Sequence, residues 1–151
     1  MIEVASASPA DTIAVGRRLA RLLRPGDVVL LAGALGCGKT LFVSGIAEGL
    51  GVEEPVTSPS FVIVHQYNGG FLPIVHADVY RLSSIGELDD LELPDLARDG
   101  VLVIEWGHAV ERSVPEDHLV VELEVLGDLD RRIRFVPMGK WSARSLEDVT
   151  G

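Results

Sequence analysis

Two kinds of hydrophobic patterning alternate along the chain. "SPADTIAVGRRLARLL" (8–23) places Ile13, Leu19, Leu22 and Leu23 near one face of a helix, with Arg17, Arg18 and Arg21 on the other. Ser8 suits the N-cap, Pro9 the first helical position and Asp11 the first turn, and "RPGD" ends the element. "VVLLA" (28–32) is apolar at every position, which suits a strand buried on both faces of a parallel sheet. "TLFVSGIAEGL" predicts a second helix ending at Gly51.

The period then shortens. "FVIVHQY" and "FLPIVHA" flank "NGG" and read as a hairpin, so the sheet cannot be wholly parallel. "SIGELDDL" and "LPDLARD" predict short helical pieces, and "VLVIEW" another buried strand. "HLVVELEVL" and "RRIRFVPM" bracket "GDLD" as a second hairpin. The tail "KWSARSLEDVTG" (140–151) reads as a polar, loose final helix, with Trp141 able to anchor it. With no repeat, low-complexity segment or linker, the pattern predicts one α/β domain over residues 1–151, a mixed central sheet flanked by helices.

Composition narrows the class. No run of 18 apolar residues suggests a membrane span, and "MIEVASASPADT" lacks the layout of a signal peptide, so a cytoplasmic protein is expected. Cys37 is the only cysteine, which excludes an internal disulfide. A formal net charge of −10 disfavours direct gripping of nucleic acid.

The chain writes its cations almost entirely as arginine, yet one of its two lysines, Lys39, sits in "GALGCGKT" (33–40). This stretch fits G-x-x-x-x-G-K-S/T, with a buried strand before it and a helix after it. The glycines allow successive backbone N–H groups to wrap a phosphate. Lys39 supplies a mobile point charge for the β- and γ-phosphates, Thr40 a hydroxyl for magnesium, and the helix a favourable dipole. A forked guanidinium fits such a cradle poorly. Cys37, at the helix start, reads either as a thiol whose proton the dipole loosens or as a small filler.

Hydrolysis also needs an acid and a group that orients water. Glu105, ending "VLVIE", stands where an open α/β sheet presents its ligand groups. "HADVYR" adds His76, Asp78, Tyr80 and Arg81, and "TSPS" a polar loop able to close over a γ-phosphate. Glu105 has the alternative of a surface acid, and Asp78 that of a turn cap. His76 reads as a structural histidine packed near the site. Tyr80 and Arg81 read equally as structural or partner-facing. Arg131 and Arg132 read as solvated hairpin charges, with phosphate contact by one of them the alternative.

Taken together, "LLAGALGCGKTLF", "VTSPSFVIVHQY", "HADVYRL" and "VLVIEW", in that order, closely resemble the TsaE family of bacterial P-loop ATPases, which serve the formation of threonylcarbamoyladenosine in tRNA. The resemblance spans about residues 8–137. It implies a P-loop fold, magnesium-dependent ATP hydrolysis that is slow without partners, and action on a complex of TsaB- and TsaD-like proteins, with tRNA met only through that complex. Carried over by position, Thr40 and Glu105 hold magnesium, and Lys39, Asp78 and Glu105 serve catalysis. The implied nucleotide contacts are Thr12, Leu35, Gly36, Cys37, Gly38, Lys39, Thr40, Leu41, Ser60 and His108. The chain departs from the family at several of these. Leu41 replaces a second threonine, Cys37 a common alanine and Ser60 a usual threonine, and His108 stands where Glu or Gln is usual.

Rival functions are a small-molecule P-loop kinase and a nucleotide-dependent scaffold without intrinsic turnover. A kinase of this sort needs an arginine-bearing lid, and residues 83–100 carry acids instead of clustered arginines. Asn68 is the only asparagine and does not begin an N-K-x-D motif, which removes the usual basis for guanine recognition.

Overall fold

In a computed structural model the elements follow the order β1 (Ile2–Ser6), α1 (Pro9–Ala20), β2 (Val28–Ala32), α2 (Lys39–Gly49), β3 (Val64–Tyr67), β4 (Ile74–Asp78), α3 (Leu93–Leu96), β5 (Val101–Glu105), β6 (His118–Val125) and β7 (Arg131–Met138), then 3-10 turns at Gly139–Ala143 and Glu147–Thr150. The structure describes residues 1–34, 36–56, 64–78, 92–105 and 114–151. Leu35, the "TSPS" loop with Ser60, Tyr80, Arg81, "SIGELDDL", Trp106 and His108 lie outside the described residues.

The strands form one seven-stranded sheet in the order β1-β7-β6-β2-β5-β4-β3. The runs that are apolar on both faces make its centre: β6, β2, β5 and β4 are parallel, as burial on both faces requires. Antiparallel strands finish both edges, β3 beside β4 and β7 with β1 beside β6. The sheet is therefore mixed, as the hairpin signals predict. The first hairpin is looser than "NGG" alone implies, because residues 68–73 connect β3 to β4.

Side chains alternate across the sheet. Val29, Leu31, Val101, Val103, Val121, Ile133 and Phe135 pack under α1 and α2 in the larger core. Val28, Leu30, Val75, Ala77, Leu102 and Ile104 face the other way, with Leu93 and Ala97 over them. Ser8 caps α1 by accepting from the Asp11 N–H at 3.1 Å, with Pro9 in the first turn.

The buried face of residues 8–23 is only partly the predicted one: Leu19 and Leu23 are buried as expected. Thr12, Val15, Gly16, Leu19 and Ala20 are buried, whereas Ile13 and Leu22 are half-buried. The reason is close helix packing: a Cβ at Gly16 would collide with the Phe42 carbonyl, and one at Gly45 with the Ile13 carbonyl. Small residues, not leucines, mark the crossing with α2.

Two further differences concern the chain ends. Residues 2–6, which the pattern assigns to no element, pair with β7 from Ile2↔Phe135 to Ser6↔Arg131. The tail is not a loose helix. Trp141, Leu146 and Val149 are buried, and Arg18 Nε donates to the Val149 carbonyl at 3.0 Å. Arg144 stacks 4.0 Å over the Trp141 ring and grips Asp27 through two hydrogen bonds of 2.7 Å. Among the described residues no helix is long and apolar enough to cross a membrane.

Candidate functional site

The parallel strands all point their C-terminal ends to one edge of the sheet, and the glycine loop leaves from the most central of them. After Ala32, the loop turns at Gly33 (φ 149°), where a Cβ would lie 2.6 Å from Cys37 Sγ and 2.7 Å from the Leu123 carbonyl. Gly38 (φ 106°) then starts α2 in a left-handed conformation and offers no side-chain cap. α2 thus begins without a side-chain cap, at a helix N-terminus whose dipole favours an anion. Lys39 is buried, and its Nζ donates to the Gly33 carbonyl at 2.8 Å, so the ammonium lies back across the loop. Thr40 follows in the first turn, half-buried.

Glu105 and Asp78 come to the same edge. In register, Glu105 stands opposite Leu31 on β2, just below the root of the loop, and opposite Asp78 on β4. Alternation puts Glu105 on the α2 face with Val101 and Val103, and Asp78 on that face with Ile74 and His76. Glu105 is 5% exposed, so the alternative of a surface acid does not hold. His76 is fully buried, with Nε2 3.4 Å from Glu105 Oε2.

Thr12 reaches the loop from α1. Ser6 Oγ donates to the Ser8 carbonyl at 2.9 Å, so in its 2.8 Å contact with Thr12 Oγ1 the threonine is the donor. The Thr12 oxygen keeps lone pairs to offer. Thr12, Gly36, Cys37, Gly38 and Leu41 line a recess of ≈ 60 Å³ together with Ser8, Pro9, Asp128, Leu129 and Arg131. On the other flank a groove of ≈ 480 Å³ runs from Ala32, Gly33 and Ala34 across β6 and β7. Its charges pair among themselves, with Arg132 at 3.2 Å from Glu124 and Arg134 at 3.4 Å from Glu122.

Two readings of the sequence need correction. The Cys37 thiol is not loosened by the loop. It is fully buried, and burial pushes its pKa up, outweighing the positive charge of Lys39 and the loop amides that pull it down. Cys37 is the small filler. Arg131 is not a solvated hairpin charge: its Nε donates to the Cys37 carbonyl at 3.1 Å, and its Nη1 donates to Gly127 at 2.8 Å and Asp130 at 3.0 Å. It therefore braces the glycine loop against the β6–β7 turn. Only the identical chemistry of the neighbouring arginines was visible in sequence, and nothing distinguished the one that folds inward. Arg132 does face outward, pairing with Glu124 and Glu3.

A strand, a glycine loop and a lysine at a helix start, under the carboxyl edge of a mixed sheet, define a P-loop-like α/β protein. The family model described as "Threonylcarbamoyl adenosine biosynthesis protein TsaE" matches residues 6–133, and the chain belongs to that family. The tRNA threonylcarbamoyladenosine biosynthesis protein TsaE of Bacillus subtilis is 41% identical over 133 residues, covering 87% of this chain and 83% of that one. The protein of the same name from Streptomyces coelicolor is 42% identical over 145 residues, 91% of this chain and 98% of its own. The Aquifex aeolicus protein is 34% identical over 135 residues, 88% and 94% of the two chains. The crystal structure of Bacillus subtilis YdiB superposes with a TM-score of 0.75 at 35% identity, covering 94% of this chain and 89% of that one.

Proposed function

We propose that this protein is the ATP-binding and ATP-hydrolysing subunit of the machinery that makes threonylcarbamoyladenosine in tRNA, acting with TsaB- and TsaD-like partners. One observation carries the reading. The loop lysine and a buried acid meet at one sheet edge, Glu105 standing in register with the strand that feeds the loop. In this reading the amides of Gly36, Gly38 and Thr40 cradle phosphate, Cys37 fills the loop with its N–H donated to the Ala34 carbonyl at 3.1 Å, and the Lys39 ammonium exchanges the Gly33 carbonyl for a phosphate oxygen. Thr12 and Leu41 border the nucleoside, with the Thr12 oxygen accepting a hydrogen bond. Leu35, Ser60 and His108 join the nucleotide set on the family resemblance.

The donor set suits magnesium. Thr40 and Glu105 offer hard oxygen atoms, one hydroxyl and one carboxylate, and magnesium keeps several waters when so few protein groups hold it. When bound, the ion neutralises charge on the β- and γ-phosphates. In this reading Asp78, in register with Glu105 on the next strand, orients the attacking water.

The test is co-purification with TsaB- and TsaD-like partners with and without ATP, with tRNA modification and ATP turnover read together. Turnover that rises on docking, and modification that needs it, support the reading. A protein whose Lys39→Ala variant keeps ATP affinity within about threefold, where loss of a charge-assisted contact should cost roughly tenfold or more, has no phosphate cradle at this loop.

A further inference from the structure

Among the described residues, His76 is the buried polar group whose surroundings fit it least. It lies on the core face of β4 with Ile74 and is 0% exposed, and neither ring nitrogen makes a hydrogen bond among the described residues. Burying an imidazole without partners costs free energy that a leucine of similar volume would not. A position that served packing alone would not hold a histidine.

The nearest polar atom explains the choice. Nε2 lies 3.4 Å from Glu105 Oε2, within reach of a hydrogen bond but outside good geometry. The Glu105 backbone is fixed on both sides, by β2 at Leu31 and by β4 at Asp78, so the side-chain rotamer is what remains adjustable. His76 is on the neighbouring strand, two register positions below the residue opposite Glu105, and both face the α2 side of the sheet. Carboxylates that hold cations are commonly oriented by a hydrogen-bond donor behind them.

We infer that His76 is the positioning residue of Glu105: Nε2–H donates to one carboxylate oxygen and fixes the rotamer that presents the other to the divalent cation beside the glycine loop. The inference rests on the reading of Glu105 as the metal-site acid. Asp78, on the same strand, keeps its separate task.

The experiment measures metal binding directly. Manganese(II) is titrated into the ADP-bound protein and followed by electron paramagnetic resonance, for wild type, His76→Leu, His76→Gln and Glu105→Ala. Loss of an outer partner of this kind typically costs roughly 10- to 100-fold in metal affinity. His76→Leu is expected to weaken manganese binding at least about tenfold, and His76→Gln, whose amide nitrogen can replace Nε2, to recover most of it. Affinity for ADP without metal should stay the same in both. A His76→Leu variant that binds manganese like wild type, or a His76→Gln variant as weak as His76→Leu, overturns the role of His76. If Glu105→Ala also binds manganese normally, the assignment of Glu105 itself has failed, which separates the two outcomes. Should His76→Leu not fold, nitrogen NMR of histidine-labelled wild type decides. The chain has four histidines, and His76→Gln assigns the signal. A proton on Nε2 is required, and an Nε2 without one overturns the inference.

Discussion

Two acids sit at opposite ends of the parallel strands, equally buried and oppositely treated. Asp27, just before β2, is 6% exposed; Glu105, at the end of β5, is 5% exposed. Asp27 is saturated. It takes both nitrogens of Arg144 at 2.7 Å and the Arg24 N–H at 2.7 Å. Among the described residues, Glu105 has only the offset approach of His76 at 3.4 Å. Burial alone therefore does not mark a functional acid. What separates the two is how far the protein has already satisfied the charge: a closed pair holds the fold, and an incompletely paired acid at the ligand edge is kept for something else.

That contrast can be broken most forcefully at its closed end. Arg144→Ala leaves Asp27 buried without its partner and should cost about 3–5 kcal/mol of stability, read as a lower urea midpoint. Glu105 and the glycine loop lie at the far ends of the strands, so nucleotide affinity of the folded fraction should not change. At the open end, Glu105→Gln should lower magnesium-dependent turnover about 100-fold, near 2.7 kcal/mol, while stability changes by less than about 0.5 kcal/mol. If Glu105→Gln destabilises the fold as Arg144→Ala does, the two acids are both structural and the distinction collapses.

Smaller effects sharpen it. Arg131→Ala removes the brace on the Cys37 carbonyl and should weaken ATP binding roughly fivefold, about 1 kcal/mol, by calorimetry. Arg131→Lys should rescue little, because one ammonium cannot span the loop and the turn as the guanidinium does. The smallest effect concerns Cys37. With its pKa raised by burial, the folded state holds the thiol proton more tightly than the unfolded chain does. That contribution is complete below the unfolded thiol value, about 8.5, and is lost as pH rises toward the higher folded value. Between about pH 7 and 9.5 the wild type should therefore lose more stability than Cys37→Ala, read as a steeper fall of the urea midpoint. Thiol labelling should be slow with or without Mg-ATP.

How much of this was legible in sequence depended on the range of the interactions. The glycine loop was legible because its chemistry is local: a spacing of glycines, a lysine and a hydroxyl between strand and helix. The Ser8 cap and both hairpins were legible for the same reason. Glu105 and Asp78 were placed by the rule that ligand groups end buried strands, and their register at one edge agrees with it. Residues whose meaning comes from distant partners escaped. Ile2–Ser6 is short and finds its partner at the other end of the chain. Gly16 and Gly45 carry no signal of their own in sequence, because only the second helix lying against the first demands glycine there. Trp141, Leu146 and Val149 are buried from two separate 3-10 turns joined through an extended Arg144, so a single helical template saw only a polar tail. Arg131 and Arg132 are adjacent and chemically identical, yet strand alternation sends one to the loop and the other to solvent.

The grip of Arg144 on Asp27 also sets a timetable. These partners lie 117 residues apart, and β1 likewise waits for β7. As the chain emerges from the ribosome, the glycine loop is among the first segments made, yet β2 waits for its partners β5 and β6, and Asp27 before it waits for the tail. Domains generally fold as units during synthesis, and pairings of such sequence separation form slowly. Nascent chains lacking residues 141–149 should therefore hold the start of β2 less firmly than the full chain, with Asp27 still without Arg144.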